Sequence, residues 1–291
     1  MMLGYLRLES LDELTEMLWA DGPICLMLAG ATAVMSRPDP FGDKRMLLDI
    51  GRILELRGVA LDESGGVRIG AATCLQQAAL HPAVRRRARL LGLACAAIGT
   101  PQLRNRATLG GHLLSDMPAH DALPALICLD AEIQVRSRDR QRTIPAASLA
   151  EALDEQAELL APDELIESVR IPSRAGHTVA FFHRAGPARV SRQARPSVAF
   201  AARRRGDGRL DRVRIALGGC GAAARELPES AAALEGQKLA PAAVERAARA
   251  LSGQLGPGPG VLCAGMLSRG LYEIHEHMRM LARRRARRQR R

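Results

Sequence analysis

The chain has 291 residues, 47% of them hydrophobic and 25% charged, which is enough for two domains with a buried core. One Trp, two Tyr and four Phe are too few to offer the exposed rings on which single-stranded nucleic acid stacks, so Leu, Ala, Val and Ile must build the core. The net charge of +11 is concentrated in ARRRARRQRR at 282–291, whose seven arginines leave only +4 for the other 281 residues, so the basicity describes a tail and not a nucleic-acid-binding surface.

In chain order, a short strand (MLGYLRLES) leads to Ser10 and Glu13, spaced as a capping box. The helix that follows has Leu11, Leu14, Met17 and Leu18 on one face and is stopped by Asp21-Gly22-Pro23. ICLMLAG reads as a buried strand running into the small-residue loop Ala29-Gly30-Ala31-Thr32-Ala33, and RMLLDIG as the next strand, giving a strand–helix–strand–strand unit. VRIGA is a strand, and Thr73 can cap the helix LQQAAL. A helix with Pro82 in its first turn is expected to run to about Ile98, with Arg85, Arg86, Arg87 and Arg89 on its solvated side. DALPALICL is helical, AEIQVRS and QRTIPA are strands joined at Arg138-Asp139-Arg140, and ELIESVRIP is a further strand. The best domain boundary is 173–176. Beyond it TVAFFHRA, SVAFAARR and LDRVRIALGGC read as strands, the last two joined by the hairpin signal Gly206-Asp207-Gly208. Two helices follow, at 229–234 and 241–251. After GPGPG a final helix carries Leu267, Leu271, Ile274, Met278 and Leu281 in one apolar stripe.

Several chemistries are excluded by motif. GxGxxG, GxxxxGK[ST] and GxSxG are all absent. The six cysteines, at 25, 74, 95, 128, 220 and 263, contain no CxxC, which excludes a zinc ribbon or a conventional iron–sulfur cysteine run in this chain. Most lie in apolar surroundings as small buried hydrophobes, the pattern of a reducing compartment. No apolar run reaches the ~20 residues of a membrane span, and the N-terminus lacks the signature of a secretory signal, so a cytoplasmic protein is expected. His112, Asp116 and His120 are spaced as ligands on one helical face would be, but Pro118 and the Gly-Gly pair undercut that register, and no metal site is expected.

The stretch IGTPQLRNRATLGGHLLSDMPAHDALPALICLD at 98–130 is the densest in polar groups around a turn. Arg104, Asn105 and Arg106 precede Thr108-Leu109-Gly110-Gly111, and Ser115, Asp116 and Asp121 follow it. Two adjacent glycines permit positive φ and a close backbone approach to a ligand. Paired with the loop around Gly30, this second glycine turn, with hydroxyls at Thr32 and Thr108, could grip the two phosphates of one pyrophosphate from opposite sides.

LAGAT, RMLLDIGRILELRGV, VRIGAATCLQQ and IGTPQLRNRATLGGH with PAHDALPALICLDAEI together closely resemble the FAD-binding subunit of the molybdenum hydroxylases, the xanthine dehydrogenase and carbon monoxide dehydrogenase family. FFHRAGPARVSRQARPSVAFA is similar to the family's C-terminal flavoprotein domain. The resemblance implies an α+β fold: an FAD-binding domain of the vanillyl-alcohol-oxidase (PCMH) type over 1–175, in subdomains of about 1–57 and 58–175. A smaller α/β C-terminal flavoprotein domain over 176–282 and a basic tail at 283–291 would follow. It also implies FAD held at Ala29, Gly30, Ala31, Thr32 and Ala33 and at Thr108, Gly110, Gly111 and His112, with Asp121 hydrogen-bonding further along the cofactor. Ile98 would pack near the flavin ring, and Leu165, Ile166 and His183 would make later contacts; no catalytic residue is implied.

In the same family the partners are a molybdopterin-binding large subunit and a small subunit with [2Fe–2S] clusters, in a possible dimer of heterotrimers. Electrons reach FAD from the clusters and leave to an acceptor such as NAD or oxygen. This sequence departs from the family at Ala31, where a second Gly is usual, at Ala33, where a polar residue is usual, and at His112, where Asn is usual. Cys74 replaces a common His, and His183 a frequent Lys. These departures motivate an alternative, a flavin-free degenerate paralogue acting as a scaffold or assembly subunit. Membrane and nucleic-acid partners are not expected.

Overall fold

The computed structural model describes residues 4–115, 121–173, 179–186, 195–221 and 224–289, with side chains as far as residue 280. The first unit is β1 (Gly4–Arg7), α1 (Leu11–Asp21), β2 (Cys25–Leu28) and β3 (Met46–Asp49). Its strands form a parallel sheet in the order β1-β3-β2, so α1 is the crossover between two parallel strands. Ser10 Oγ accepts from the Glu13 N–H at 3.1 Å, and the Glu13 carboxylate reaches back one residue further than a standard box, to the Glu9 N–H. Leu11, Leu14 and Leu18 are buried against Leu48, Ile50 and Ile53, while Met17 sits at the edge of that cluster.

The second unit begins with β4 (Val59–Leu61), β5 (Val67–Gly70), α2 (Leu75–Leu80), α3 (Pro82–Arg87) and α4 (Arg89–Ala97). It continues with α5 (Pro101–Arg104), α6 (Leu109–Leu113), α7 (Leu123–Cys128), β6 (Glu132–Arg136), β7 (Gln141–Pro145), α8 (Ala146–Asp154) and β8 (Leu165–Ile171). Its strands make one antiparallel sheet, β4-β5-β8-β6-β7. Three sequence expectations are corrected here. The cap of α2 is Cys74 and not Thr73, whose hydroxyl donates to the Gly58 carbonyl at 3.0 Å and so ties α2 to β4. The helix expected from Pro82 to Ile98 breaks at Ala88 (φ −131°, ψ 41°), although Arg85, Arg86, Arg87 and Arg89 are exposed as expected. The Gly110-Gly111 pair is the first turn of α6 and not an open turn of positive φ.

The third sheet is antiparallel and ordered β12-β11-β10-β9, from β9 (Val179–Arg184), β10 (Ser197–Arg204), β11 (Leu210–Gly218) and β12 (Ala224–Glu226). The helices α9 (Pro228–Ala232), α10 (Pro241–Leu255) and α11 (Pro259–Gln289) follow. Successive side chains of a strand face opposite ways. Phe182, Ala199, Ala201 and Ala216 therefore join the core of the second unit, whereas Phe181, Val198, Phe200 and Ile215 pack under α10 and α11. The stripe of α11 is buried at Leu267 and Leu271 and packs at Ile274 and Met278; the Leu281 side chain lies outside the described residues. Where α11 crosses β9, a Cβ at Gly270 would stand 2.5 Å from the Phe181 ring, so any larger residue must push that ring aside. Among the described residues, no helix is long and apolar enough to cross a membrane.

Candidate functional site

Between the first two units lies a cavity of about 710 Å³, of the size that holds a cofactor. Its floor and walls bring together Ala29, Gly30, Ala31, Thr32, Ala33, Ile98, Thr108, Gly110, Gly111, His112, Asp121, Leu165 and Ile166. These positions come from the exit of β2, the end of α4, the start of α6, the segment before α7 and the start of β8, so residues up to 137 apart in sequence meet around one space.

The loop after β2 is fixed from outside. A Cβ on Gly30 would fall inside the carbonyl oxygen of Arg106, so the backbone of one turn lies directly on that of the other. Ala31 adopts φ +57°, a left-handed conformation that L-residues take at a cost, and its carbonyl accepts from the Met35 N–H at 2.9 Å. Among the described residues, no hydrogen bond uses the backbone N–H of Gly30, Ala31, Thr32 or Ala33. A run of unused N–H groups at a left-handed residue lining a cavity is a place for an anion.

The start of α6 behaves differently. The Leu109 N–H donates to Thr73 O, the Gly110 N–H to Ala71 O and the Gly111 N–H to Thr108 Oγ1, so the donors that the sequence suggested for a phosphate are already used. The two glycines serve packing instead. A Cβ on Gly110 would lie 2.7 Å from Ala71 Cβ, and one on Gly111 2.8 Å from Thr108 Oγ1. Arg104 is a staple, donating to Gln76 Oε1 and to the carbonyls of Ile98 and Gly99, and it thereby sets Ile98 on the cavity wall. His112 Nε2 accepts from the Ala122 N–H at 3.3 Å, which fixes the segment carrying Asp121. Asp116 and His120 lie outside the described residues.

His183 is the exception to this gathering. It shares a face of β9 with Phe181, 5.0 Å between ring centroids, and its Nε2 is 3.4 Å from Glu273 of α11, on the far side of the sheet from the cavity. Its neighbour Arg184 points the other way and lines the cavity, with Nε 3.0 Å from the Asp121 carboxylate. The strand's apolar residues Phe181 and Phe182 occupy both faces, so alternation in the sequence could not say which of His183 and Arg184 looked inward. Burial lifts the Asp121 carboxyl from 3.8 to about 6, against the pull of the Arg184 guanidinium. Arg184 Nη1 is buried and has no hydrogen-bond partner among the described residues. A buried orphan donor on a cavity wall is costly unless a ligand satisfies it.

The residues present fit a dinucleotide with an apolar ring system. Unused N–H groups stand at one wall, a buried cation with a spare donor at another, and Leu26, Met27, Ile98, Leu103, Leu165 and Ile166 supply apolar surface.

The chain matches, over residues 1–174, the family described as FAD binding domain in molybdopterin dehydrogenase, and over 184–263 the CO dehydrogenase flavoprotein C-terminal domain. It is 33% identical over 143 residues to a xanthine dehydrogenase FAD-binding subunit from Escherichia coli O157:H7, covering 49% of each chain. With the carbon monoxide dehydrogenase medium chain of Hydrogenophaga pseudoflava it shares 32% identity over 171 residues, 58% of each. The matched stretch thus spans about half the length of these curated relatives. A solved structure of carbon monoxide dehydrogenase from Hydrogenophaga pseudoflava, lacking the Mo-pyranopterin moiety, superposes with a TM-score of 0.82 at 27% identity. That superposition covers 94% of this chain and 96% of the other.

Proposed function

The chain belongs to the family of FAD-binding domains of molybdopterin dehydrogenases, oxidoreductase subunits, and from that membership we propose that it is the flavin-carrying electron-transfer subunit of a heteromeric molybdenum hydroxylase. Its electrons come from iron–sulfur clusters of a small subunit, themselves reduced at a molybdopterin-binding large subunit, and pass to an acceptor such as NAD or oxygen. The proposed assembly is cytoplasmic and can pair as a dimer of heterotrimers. We also read the chain as an FAD-binding domain over 1–175, in subdomains of about 1–57 and 58–175, a C-terminal domain over 176–282 and a basic tail.

One observation carries the reading: the unused N–H groups of residues 30–33 and the orphan Nη1 of Arg184 line the same cavity, and a single elongated anionic ligand answers both. FAD bound there supplies the exchange between single-electron carriers and a two-electron acceptor. In this reading the backbone of Gly30 to Ala33 holds the pyrophosphate, and Thr108 keeps α6 in register beside it. Ile98, Leu165 and Ile166 exclude water, and the Arg184 guanidinium, fixed by Asp121, donates to the cofactor. His183 takes no direct part. The flavin-free alternative is not favoured, because without a ligand the buried Nη1 of Arg184 would stay desolvated and uncompensated.

Titration of the purified chain with FAD, followed by quenching of flavin fluorescence, tests the proposal. Saturable one-to-one binding is expected, and it should weaken at least tenfold in Arg184→Gln. A chain that stays colourless after incubation with excess FAD overturns the reading.

A further inference from the structure

We propose that Cys220 and Cys263 form a peroxide-reactive dithiol that closes to an intrachain disulfide, a modification site independent of the flavin cavity. Their sulfurs are 3.5 Å apart, the only pair of thiols in contact among the described residues. Cys220 follows β11 in the turn Gly218-Gly219-Cys220-Gly221 and is half-buried, whereas Cys263 is fully buried in α11. Closing 3.5 Å to the ~2.05 Å of a disulfide asks for a movement of only about 1.5 Å. The turn can supply it, since a Cβ at Gly221 would meet nothing within 4 Å, while Cys263 stays anchored in the helix.

The two thiols have unequal roles. Contact with the Cys263 sulfur, helped by the Arg225 guanidinium, draws the Cys220 thiol down to about 7, and the same contact pushes the Cys263 thiol up. Cys220, half exposed and the thiol drawn toward its thiolate, is the one a small oxidant reaches and is the nucleophile; Cys263, fully buried, is the resolving thiol. The Cys220 sulfur attacks the terminal oxygen of a hydroperoxide and the O–O bond breaks. The departing alkoxide or hydroxide takes up the proton that Cys220 had released to solvent, and the products are Cys220 sulfenic acid and an alcohol or water. Oxidation removes the negative charge that held the Cys263 proton. Cys263 sulfur then attacks the sulfenyl sulfur, the S–O bond breaks, and its proton leaves with the hydroxyl as water. In sum two thiols and one hydroperoxide give one disulfide, one alcohol or water and a second water, with two electrons passing to the peroxide.

The remaining thiols are poorly suited to compete. Burial raises Cys25, lifts Cys95 to about 12 and raises Cys128 further, so these remain protonated. Cys74, the other half-buried thiol, has no second sulfur in contact with it among the described residues.

The test uses the full chain, reduced and desalted without oxygen, then treated with hydrogen peroxide, alkylated and mapped by mass spectrometry without reductant. The expected result is loss of two of the six thiols, a linked peptide pair joining Cys220 to Cys263, and full reversal by dithiothreitol. In Cys263→Ser the sulfenic acid should persist on Cys220 and be captured by dimedone. Should that buried variant fail to fold, Cys220→Ser at the half-buried position decides: thiol loss should slow at least tenfold. An absent Cys220–Cys263 peptide, first oxidation at Cys74, or an unchanged rate in Cys220→Ser would each overturn the proposal.

Discussion

Stability of the cofactor-free chain should fall as pH rises through one carboxyl group, Asp121. Its side chain is 4% exposed, and burial lifts it from 3.8 to about 6 despite Arg184 at 3.0 Å. Between these values the unfolded chain has released the proton that the folded chain still holds. The unfolded state binds fewer protons there, so the unfolding free energy drops by about 1.4 kcal/mol per pH unit and levels off above about pH 6. From about pH 4.5 to about pH 6.5 the loss is about 2 kcal/mol, or ~0.7 M in urea midpoint for a slope of ~3 kcal/mol/M. The carboxylates held low act elsewhere: Asp62, drawn down to about 2 chiefly by its Ser64 hydrogen bond and also by Arg170, loses its partners in more acid solution. Asp121→Asn cannot titrate, so the difference between the two pH values, compared between wild type and variant in urea unfolding, isolates the group. Equal pH dependence in both, or a carboxyl resonance of Asp121 titrating near 4 in NMR, would show that the ion pair outweighs burial and would refute the reasoning.

Gly30→Ala should cost about 3 kcal/mol or more, because the new Cβ meets the Arg106 carbonyl in a backbone-to-backbone contact that no rotamer relieves; chemical denaturation reads it directly. Gly270→Ala should cost about 1–3 kcal/mol through the Phe181 ring, and because α11 lies across the sheet from the cavity, FAD affinity measured on the folded variant should not change. His183→Gln should leave the FAD dissociation constant within about twofold, a change of ~0.4 kcal/mol, since its partner is Glu273; a tenfold loss would place His183 on the cofactor after all.

Much of the fold was legible because its signals are local. The Ser10 cap, the hairpin at 206–208 and the α11 stripe each depend on residues within a few positions of one another. The cavity was legible as a set of positions, through the resemblance of LAGAT and QLRNRATLGGH to one family, but their physical roles were not. Gly110 and Gly111 look like a ligand cradle in sequence, whereas what they relieve is Ala71 and Thr108, residues supplied by a distant strand exit and by the helix cap. Arg104 and Arg106 look like ligand contacts, yet one staples Ile98 and the other presents its carbonyl to Gly30. His183 and Arg184 could not be told apart because both faces of β9 are covered, one by α4 and the other by α11. Apolar neighbours on each side erase the alternation that normally orients a strand.

Ala31 is where the sequence suggested damage and the backbone suggests tolerance. At φ +57° an L-residue costs roughly 1–2 kcal/mol relative to glycine, while a glycine there would give back roughly 0.4–1 kcal/mol through a freer unfolded chain. Ala31→Gly should therefore stabilise by about 0.5–1 kcal/mol. The loop is set by Gly30 lying on Arg106 and by the Met35 N–H on the Ala31 carbonyl, neither of which depends on the side chain at 31. Its N–H groups keep the same direction in both forms, so the FAD dissociation constant should change by less than about threefold, the equivalent of ~0.6 kcal/mol. Fluorescence titration of wild type and Ala31→Gly, alone and combined with Ala33→Asp, measures this. A gain of tenfold or more from Ala31→Gly alone would mean that the methyl group crowds the ligand, and the flavin-free reading would regain its footing.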